Sequence, residues 1–152
     1  MSPTKNHILI NLSSSEKTSF GKEDFGRQSF PQKVFSAIWA VEAEVNNGGF
    51  SQYFLSSAES TSFVAEALET VGAPETARIC RRAIATAFPG GLPKTEETIR
   101  SAAEFFPDEV LAALERLDQE FFSYPHNLTD LLFAYVSRHP EEFGPLPKPD
   151  DA

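Results

Sequence analysis

The sequence predicts an all-α protein, a compact bundle of about six or seven helices. Apolar residues recur at helical spacing along most of the chain, and capping residues, prolines and glycines separate these stripes. A segment of alternating period is suggested only at residues 8–12. With 152 residues and 14 Phe, the chain can bury one sizeable core. We expect an irregular N-terminal arm (residues 1–28), a helical domain (29–143) and an extended Pro-rich tail (144–152).

The first strong helix is predicted over residues 29–45. Ser29 with Gln32 fits a capping box, and Pro31 suits a first helical turn. An apolar stripe at spacings of four, three and four follows: Val34, Ile38, Val41 and Val45. Three aromatic residues in or next to the arm are candidates to pin it to the body: Phe20, Phe25 and Phe30.

The stretch Asn46-Asn47-Gly48-Gly49 predicts a helix end and a tight turn, because glycine and asparagine tolerate positive φ. A new helix over residues 50–57 is expected to begin there. It buries one face made by residues at i, i+3 and i+4: Phe50, Tyr53 and Phe54. Gln52 lies off that face, where it could bond the backbone of the turn.

Glu42 falls inside the apolar arc of the first helix, where a carboxylate must find donors or change its pKa. One interpretation is that it ties the N–H groups of the following turn to the core. The alternative is a ligand-binding or catalytic carboxylate, beside Gln52 and Tyr53. Asp118 is a second carboxylate on an apolar arc, with an arginine or the N-terminus of another helix as the expected partner.

The remaining helices follow from their caps and stripes. They are predicted at residues 61–71, 74–88, from Thr95 to about 105, 107–122 and, after the cap Asn127, 128–138. One helix has a basic face, which we expect to pair with neighbouring glutamates: Arg78, Arg81 and Arg82. The Gly90-Gly91 loop lacks the strand and the GK[ST] ending of a phosphate-binding loop.

The net charge of −9 disfavours direct nucleic-acid binding, which needs Lys and Arg to replace counterions. It suits a basic partner or simple solubility. The single cysteine, Cys80, excludes an internal disulfide and favours a reducing compartment, so we expect a cytoplasmic protein with no membrane span. Scattered histidines, no nucleophile motif and no metal-ligand spacing predict a protein that is not an enzyme and has no cofactor or metal.

The string NGGF-x-QYF at residues 47–54 follows a helix that contains Glu42 and Glu44. Together with Ala67-Leu68-Glu69-Thr70-Val71-Gly72-Ala73 and the helix after it, this string resembles the hallmark of the bacterial DNA-mimic protein domain family. The resemblance extends from about Lys33 to about Arg138. It implies a small, acidic, all-helical protein that imitates duplex DNA.

The hypothesis from this resemblance and the charge is an acidic interaction protein that occupies the DNA-binding surface of a basic regulator or nucleoid protein. The candidate surface is Glu59, Glu66, Glu69, Asp108, Glu109, Glu115 and Glu120. A second line comprises Glu44, Glu96, Glu97 and Glu104. Two alternatives remain: a small-ligand or peptide-binding module or enzyme with a pocket near Glu42, and an immunity-type or toxin-associated acidic partner. The sequence leaves homodimer formation open.

Overall fold

The computed structural model describes residues 3–14 and 24–150, and in these ranges the chain is all-helical without a strand. The described residues form eight α-helices. They are α1 (Lys5–Ser13), α2 (Phe30–Ser56), α3 (Val64–Thr70), α4 (Pro74–Ala87), α5 (Glu96–Ala103), α6 (Asp108–Phe122), α7 (Leu128–Ser137) and α8 (Pro140–Phe143). Short 3₁₀ turns at Phe25–Arg27 and Ala58–Ser60 precede α2 and α3. The predicted fold class is confirmed.

Helix α2 is the centre of the bundle. It contacts α3, α5 and α6 extensively, and α7 and α8 near the chain's C-terminal end. Its buried face includes five residues that are at most 1% exposed: Val34, Phe35, Ile38, Val41 and Val45. At its start the predicted capping box is formed, with Ser29 Oγ accepting from Gln32 N–H and Gln32 Oε1 accepting from Ser29 N–H.

The other predicted caps also form, because each depends on residues only three positions apart. Thr95 Oγ1 accepts the N–H of Thr98 at the start of α5, and Asn127 Oδ1 accepts the N–H of Asp130 at the start of α7. These contacts satisfy backbone donors that the first turn of a helix leaves without partners. The helix order of the sequence prediction therefore holds through the body of the chain.

The N-terminal arm differs from the expected irregular chain. Residues Lys5–Ser13 form a helix capped by Thr4 Oγ1, which accepts the N–H of His7. Two of its buried side chains, Ile8 and Leu9, are at most 3% exposed, and the helix packs on α7. Its apolar residues predicted a short packed or extended piece, but the contact with α7 favours a helix. Phe20 lies outside the described residues.

Two of the predicted arm anchors meet one partner. The ring of Phe63 contacts Phe25 and Phe30 edge to face, with ring centroids 6.0 and 5.6 Å apart. At the other end, residues 144–149 contain no helix, and the N–H of Asp150 donates to the carbonyl of Pro3 over 3.0 Å. The first and last described segments of the chain thus contact each other.

Candidate interaction surface

The Asn46–Gly49 stretch kinks α2, where the sequence predicted a turn between two helices. Gly48 and Gly49 have non-helical backbone angles, and Gly49 has φ of 78° and ψ of −176°. This conformation is almost exclusive to glycine. The kink frees the N–H of Phe50, which donates to Asp118 Oδ1 of α6 over 2.8 Å. Asp118 therefore caps the helix that starts after the kink, as one of its two sequence interpretations predicted.

Glu42 does not have the role that one interpretation gave it. Its carboxylate is half-buried, and it forms no hydrogen bond or ion pair with the described residues. The donor freed by the turn goes to Asp118 instead. Burial raises the pKa of Glu42, because removal from water disfavours the charged form. The interpretation of Glu42 as the turn's hydrogen-bond acceptor was wrong, since sequence alone could not show that α6 reaches the kink.

The aromatic face after the kink is buried as predicted. Phe50, Tyr53 and Phe54 are at most 1% exposed. The ring of Phe50 contacts Phe121 of α6 edge to face, with centroids 5.8 Å apart, and Phe54 contacts Phe88 with centroids 5.2 Å apart. The motif thus joins α2 to α4 and α6 through ring contacts.

The side chains of Glu42, Gln52 and Tyr53 do not converge on one pocket. Gln52 Nε2 donates to Ser56 Oγ over 2.7 Å and lies 3.4 Å from Glu44 Oε2, so it does not bond the turn's backbone. The hydroxyl of Tyr53 is buried and lies 2.7 Å from Ser60 Oγ. Among the described residues, Gln52 and Tyr53 therefore have separate hydrogen-bond partners, neither of which is Glu42.

A shallow depression does lie beside the kink, with a volume of about 400 Å³. Residues of the kink form one wall and residues of α6 form the other. The lining residues on the α2 side are Val45, Asn46, Asn47, Gly48, Gly49 and Ser51, and those on α6 are Leu111, Glu115, Asp118, Gln119 and Phe122. The sequence pattern placed Leu111 and Phe122 on the flank of the core, yet they are 40% and 38% exposed.

The candidate carboxylates fall into two groups. Glu69 of α3 pairs with Arg81 over 2.7 Å, and Glu120 of α6 pairs with Arg82 through bonds of 2.6 and 3.0 Å. Both arginines belong to α4, which packs between α3 and α6. This confirms that the basic face pairs with glutamates. It also places bases between the acidic residues of α3 and those of α6.

Glu59 lies in a cleft, not on an open face. The cleft has a volume of about 240 Å³ and includes Lys33, Phe63 and Glu96. Burial raises the pKa of Glu59, the negative charges of Glu96 and Glu44 raise it further, and Arg100 acts in the opposite direction. Glu59 is therefore a poorer candidate for contact with a flat partner surface than the exposed carboxylates.

The second group consists of exposed carboxylates that have no ion-pair partner among the described residues. Glu97 lies on α5, Glu104 directly follows it, and the other members lie on α6. We call this set the free acidic surface: Glu97, Glu104, Asp108, Glu109 and Glu115. Glu66 of α3 is also exposed without a partner. Glu96 lies 3.8 Å from Arg100 and is partly neutralised by it. Arg116, an exposed base of α6, lies on the Glu109 side of the helix.

Residues 3–14 and 24–150 contain no group of three or more His, Cys, Asp or Glu side chains that could hold a metal ion. No helix in those ranges has the length and apolar character needed to cross a membrane.

His126 has a structural role that the sequence did not predict, since its Nε2 accepts the N–H of Glu75 at the start of α4 over 3.1 Å.

The fold and the surface define an acidic all-helical protein with unpaired carboxylates on two successive helices. Comparison with protein families identifies the chain more closely: residues 27–139 match the DMP19-like protein family. Because the match covers more than half of the chain, the protein belongs to this family. The finding corrects the sequence-based assignment to the bacterial DNA-mimic protein domain family, which is a different family. No curated protein and no solved structure matched the chain.

Proposed function

We propose that the protein is a non-catalytic interaction protein whose free acidic surface binds the DNA-binding surface of a basic regulator or nucleoid protein. The observation that supports this proposal is the set of exposed, unpaired carboxylates on α5 and α6. DNA-binding proteins hold phosphates with Lys and Arg, and carboxylates on a rigid helix can accept the same charge-assisted hydrogen bonds.

The placement of the carboxylates on α6 supports this role. Asp108 and Glu115 are seven residues apart, so they lie within about 20° of each other on the helix and roughly 10 Å apart along it. Glu109 lies about 120° from Glu115 around the helix and widens the surface. Glu69 and Glu120 are less suited to this role, since their charges are already compensated by Arg81 and Arg82.

The charge of the protein predicts how binding of a basic partner should depend on salt. With a net charge of −9, the protein attracts a basic partner over several ångströms, and salt screens this attraction. Binding should therefore be fast at low salt and should weaken steeply as salt rises. Duplex DNA should compete, because it would occupy the same Lys and Arg side chains of the partner.

The test is capture of proteins from cell lysate on the immobilised chain at low salt, followed by a salt gradient with and without duplex DNA. A triple variant, Glu104→Lys, Asp108→Lys and Glu109→Lys, reverses part of the free acidic surface. We expect a basic DNA-binding protein to elute from the unmodified chain at moderate salt, to be displaced by DNA, and to be lost with this variant.

A control variant keeps the same total charge change at exposed sites outside the candidate surface: Asp24→Lys, Glu75→Lys and Glu141→Lys. Glu75 and Glu141 lie in first helical turns, as Asp108 and Glu109 do, and the control also removes two solvent-screened surface contacts, with Arg78 and His139. Capture must survive in the control. Equal loss of capture in both variants would show that capture depends on net charge and not on the free acidic surface. Absence of any DNA-displaceable basic protein would reject the proposal.

A further inference from the structure

The depression beside the α2 kink combines exposed apolar and acidic side chains on one stripe of α6. Leu111, Glu115, Asp118, Gln119 and Phe122 lie at i, i+4, i+7, i+8 and i+11, which places them within an arc of about 100° around the helix. Leu111 and Phe122 mark the two ends, roughly 16 Å apart along the axis. The stripe therefore presents an apolar side chain, then a carboxylate, then another apolar side chain.

The kink explains why this stripe is not covered. Helix α2 passes α6 at Gly48 and Gly49, which have no side chains to fill the space above α6. A Cβ atom built on Gly49 would lie only 2.8 Å from the carboxyl carbon of Asp118, so the backbone approaches that carboxylate closely. The glycines thus permit the Asp118 contact and leave Leu111 and Phe122 exposed at 40% and 38%.

The charge of the depression has one sign. Its lining includes the carboxylates of Glu115 and Asp118, three side-chain amides and no basic residue. Glu115 has no ion-pair partner among the described residues. Asp118 uses Oδ1 to accept from Phe50 N–H, and its other oxygen can accept from a further donor. The chemical complement is a cationic side chain with apolar neighbours.

We propose that this depression binds an apolar–basic–apolar segment of the partner protein, with an arginine at Glu115 and Asp118 and an apolar side chain on each of Leu111 and Phe122. The inference rests on the proposed function and adds the chemistry of the partner's contact segment. Arginine suits the site because its planar guanidinium can bond two carboxylates or amides at once. The apolar contacts at both ends fix the register of the segment and remove water from the ion pair.

The probe is a synthetic helical peptide with two leucines eleven residues apart and an arginine four residues after the first leucine, in an otherwise uncharged sequence. Its matched control has glutamine in place of the arginine. Each is titrated into the isotope-labelled full chain, and amide shifts are followed by NMR. We expect saturable shifts at Gly48, Gly49, Glu115 and Phe122, and ~10-fold weaker binding of the glutamine peptide.

Protein variants localise the contact independently. The double variant Leu111→Ser, Phe122→Ser should bind the arginine peptide ~10-fold more weakly. Phe105→Ser changes an 80% exposed ring outside the depression, and it should bind the arginine peptide within about twofold of the unmodified chain. Glu115→Gln should weaken the arginine peptide but not the glutamine peptide. Asp24→Asn, at an exposed site outside both the depression and the free acidic surface, is its control and should affect neither. Shifts confined to other surfaces, or no binding up to millimolar peptide, would overturn the proposal.

The two proposals can fail separately. If DNA-displaceable capture succeeds but the peptide does not bind at the kink, the depression is not the contact and only this inference is lost. If the peptide binds there with the expected dependence on arginine but no DNA-binding protein is captured, the depression is supported as a peptide site and the proposed function is rejected.

Discussion

Asp118 Oδ1 accepts a hydrogen bond of 2.8 Å from the backbone N–H of Phe50, 68 residues away in the chain. This contact closes the kink of α2 against α6. The N–H exists as a free donor because Gly48 and Gly49 interrupt the helical hydrogen-bond ladder. The carboxylate thus acts as an N-cap supplied by another helix, and it joins the sequence motif to the wall of the depression.

Replacing Asp118 with alanine should lower the free energy of unfolding by about 1–2 kcal/mol, as loss of an N-cap acceptor does. Asp118→Asn should lower it less, because the amide oxygen can still accept from Phe50 N–H. Chemical denaturation of both variants gives the comparison. Asp108→Ala serves as a control at an exposed carboxylate on the same helix, and a larger loss in that control would contradict the capping role.

Gly49→Ala should destabilise the protein by at least about 2 kcal/mol. Gly49 has a backbone conformation that other residues avoid, and an added Cβ would collide with Asp118 Oδ2. The measurement is the midpoint and slope of urea unfolding. Gly90→Ala is the matched control, because a Cβ there meets no atom within 4 Å. Similar stability of the two alanine variants would show that the kink tolerates a side chain.

The sequence predicted those features that depend on near neighbours. The capping box at Ser29 and the caps at Thr95 and Asn127 each join residues three positions apart, and the glycine pair marks the kink by its own backbone preference. The burial of Phe50, Tyr53 and Phe54 followed from their spacing. In each case the physical cause lies within one turn of helix, so the sequence alone predicts the feature.

Features that depend on distant neighbours could not be predicted in the same way. Leu111 and Phe122 have the spacing of core residues, and they are exposed because the element facing them is a pair of glycines from α2. The predicted acidic surface combines paired and unpaired carboxylates for a similar reason. Glu69 and Glu120 cannot be separated from Glu109 or Glu115 until α4 is known to place Arg81 and Arg82 beside them.

Glu42→Gln should stabilise the protein at neutral pH, on the order of 1 kcal/mol, because the half-buried carboxylate has no hydrogen-bond partner among the described residues. Burial raises the pKa of Glu42 in the folded state, so the folded protein holds this proton more tightly than the unfolded chain does. The contribution of Glu42 to stability therefore falls as pH rises from the unfolded pKa, about 4.3, through the raised folded value.

Urea unfolding of the unmodified chain and of Glu42→Gln across this pH range tests how the difference in their stability changes with pH. The advantage of the variant should grow as pH rises through the window and should be smallest at the acid end, where both forms are neutral. A variant that is less stable at neutral pH would indicate that the carboxylate is bonded in its charged form. Glu97→Gln, at an exposed site without a partner among the described residues, is the control, and an equal gain in stability for the two variants would assign the effect to net charge.

Cys80 should not react with Ellman's reagent in the folded protein. The side chain is 1% exposed, and burial raises the pKa of its thiol to about 12, so the reactive thiolate is scarce at pH values near neutrality. We expect labelling at the rate of unfolding and rapid labelling in concentrated guanidinium. Since Cys80 is the single cysteine, the reaction has one source. Rapid labelling without denaturant would show that the α4 core opens locally.

Replacement of Arg81 and Arg82 by glutamine should strengthen binding of a basic partner at low salt while changing stability little. Both arginines are about half exposed, so water screens each ion pair and its loss should change stability little. The double variant leaves Glu69 and Glu120 uncompensated, so the negative surface would extend from α6 across α4 to α3. Faster association at low salt is expected, with a difference that disappears at high salt.

The control for this gain is Arg138→Gln with Lys94→Gln, which removes the same charge at exposed positions outside α3, α4 and α6. Association kinetics of the captured basic protein, measured over a series of salt concentrations, compare the two. A gain that is larger for the α4 variant would show that the arginines limit the acidic surface locally. Equal gains would mean that the partner responds to net charge alone, and a loss of affinity would show that Arg81 or Arg82 contacts the partner directly.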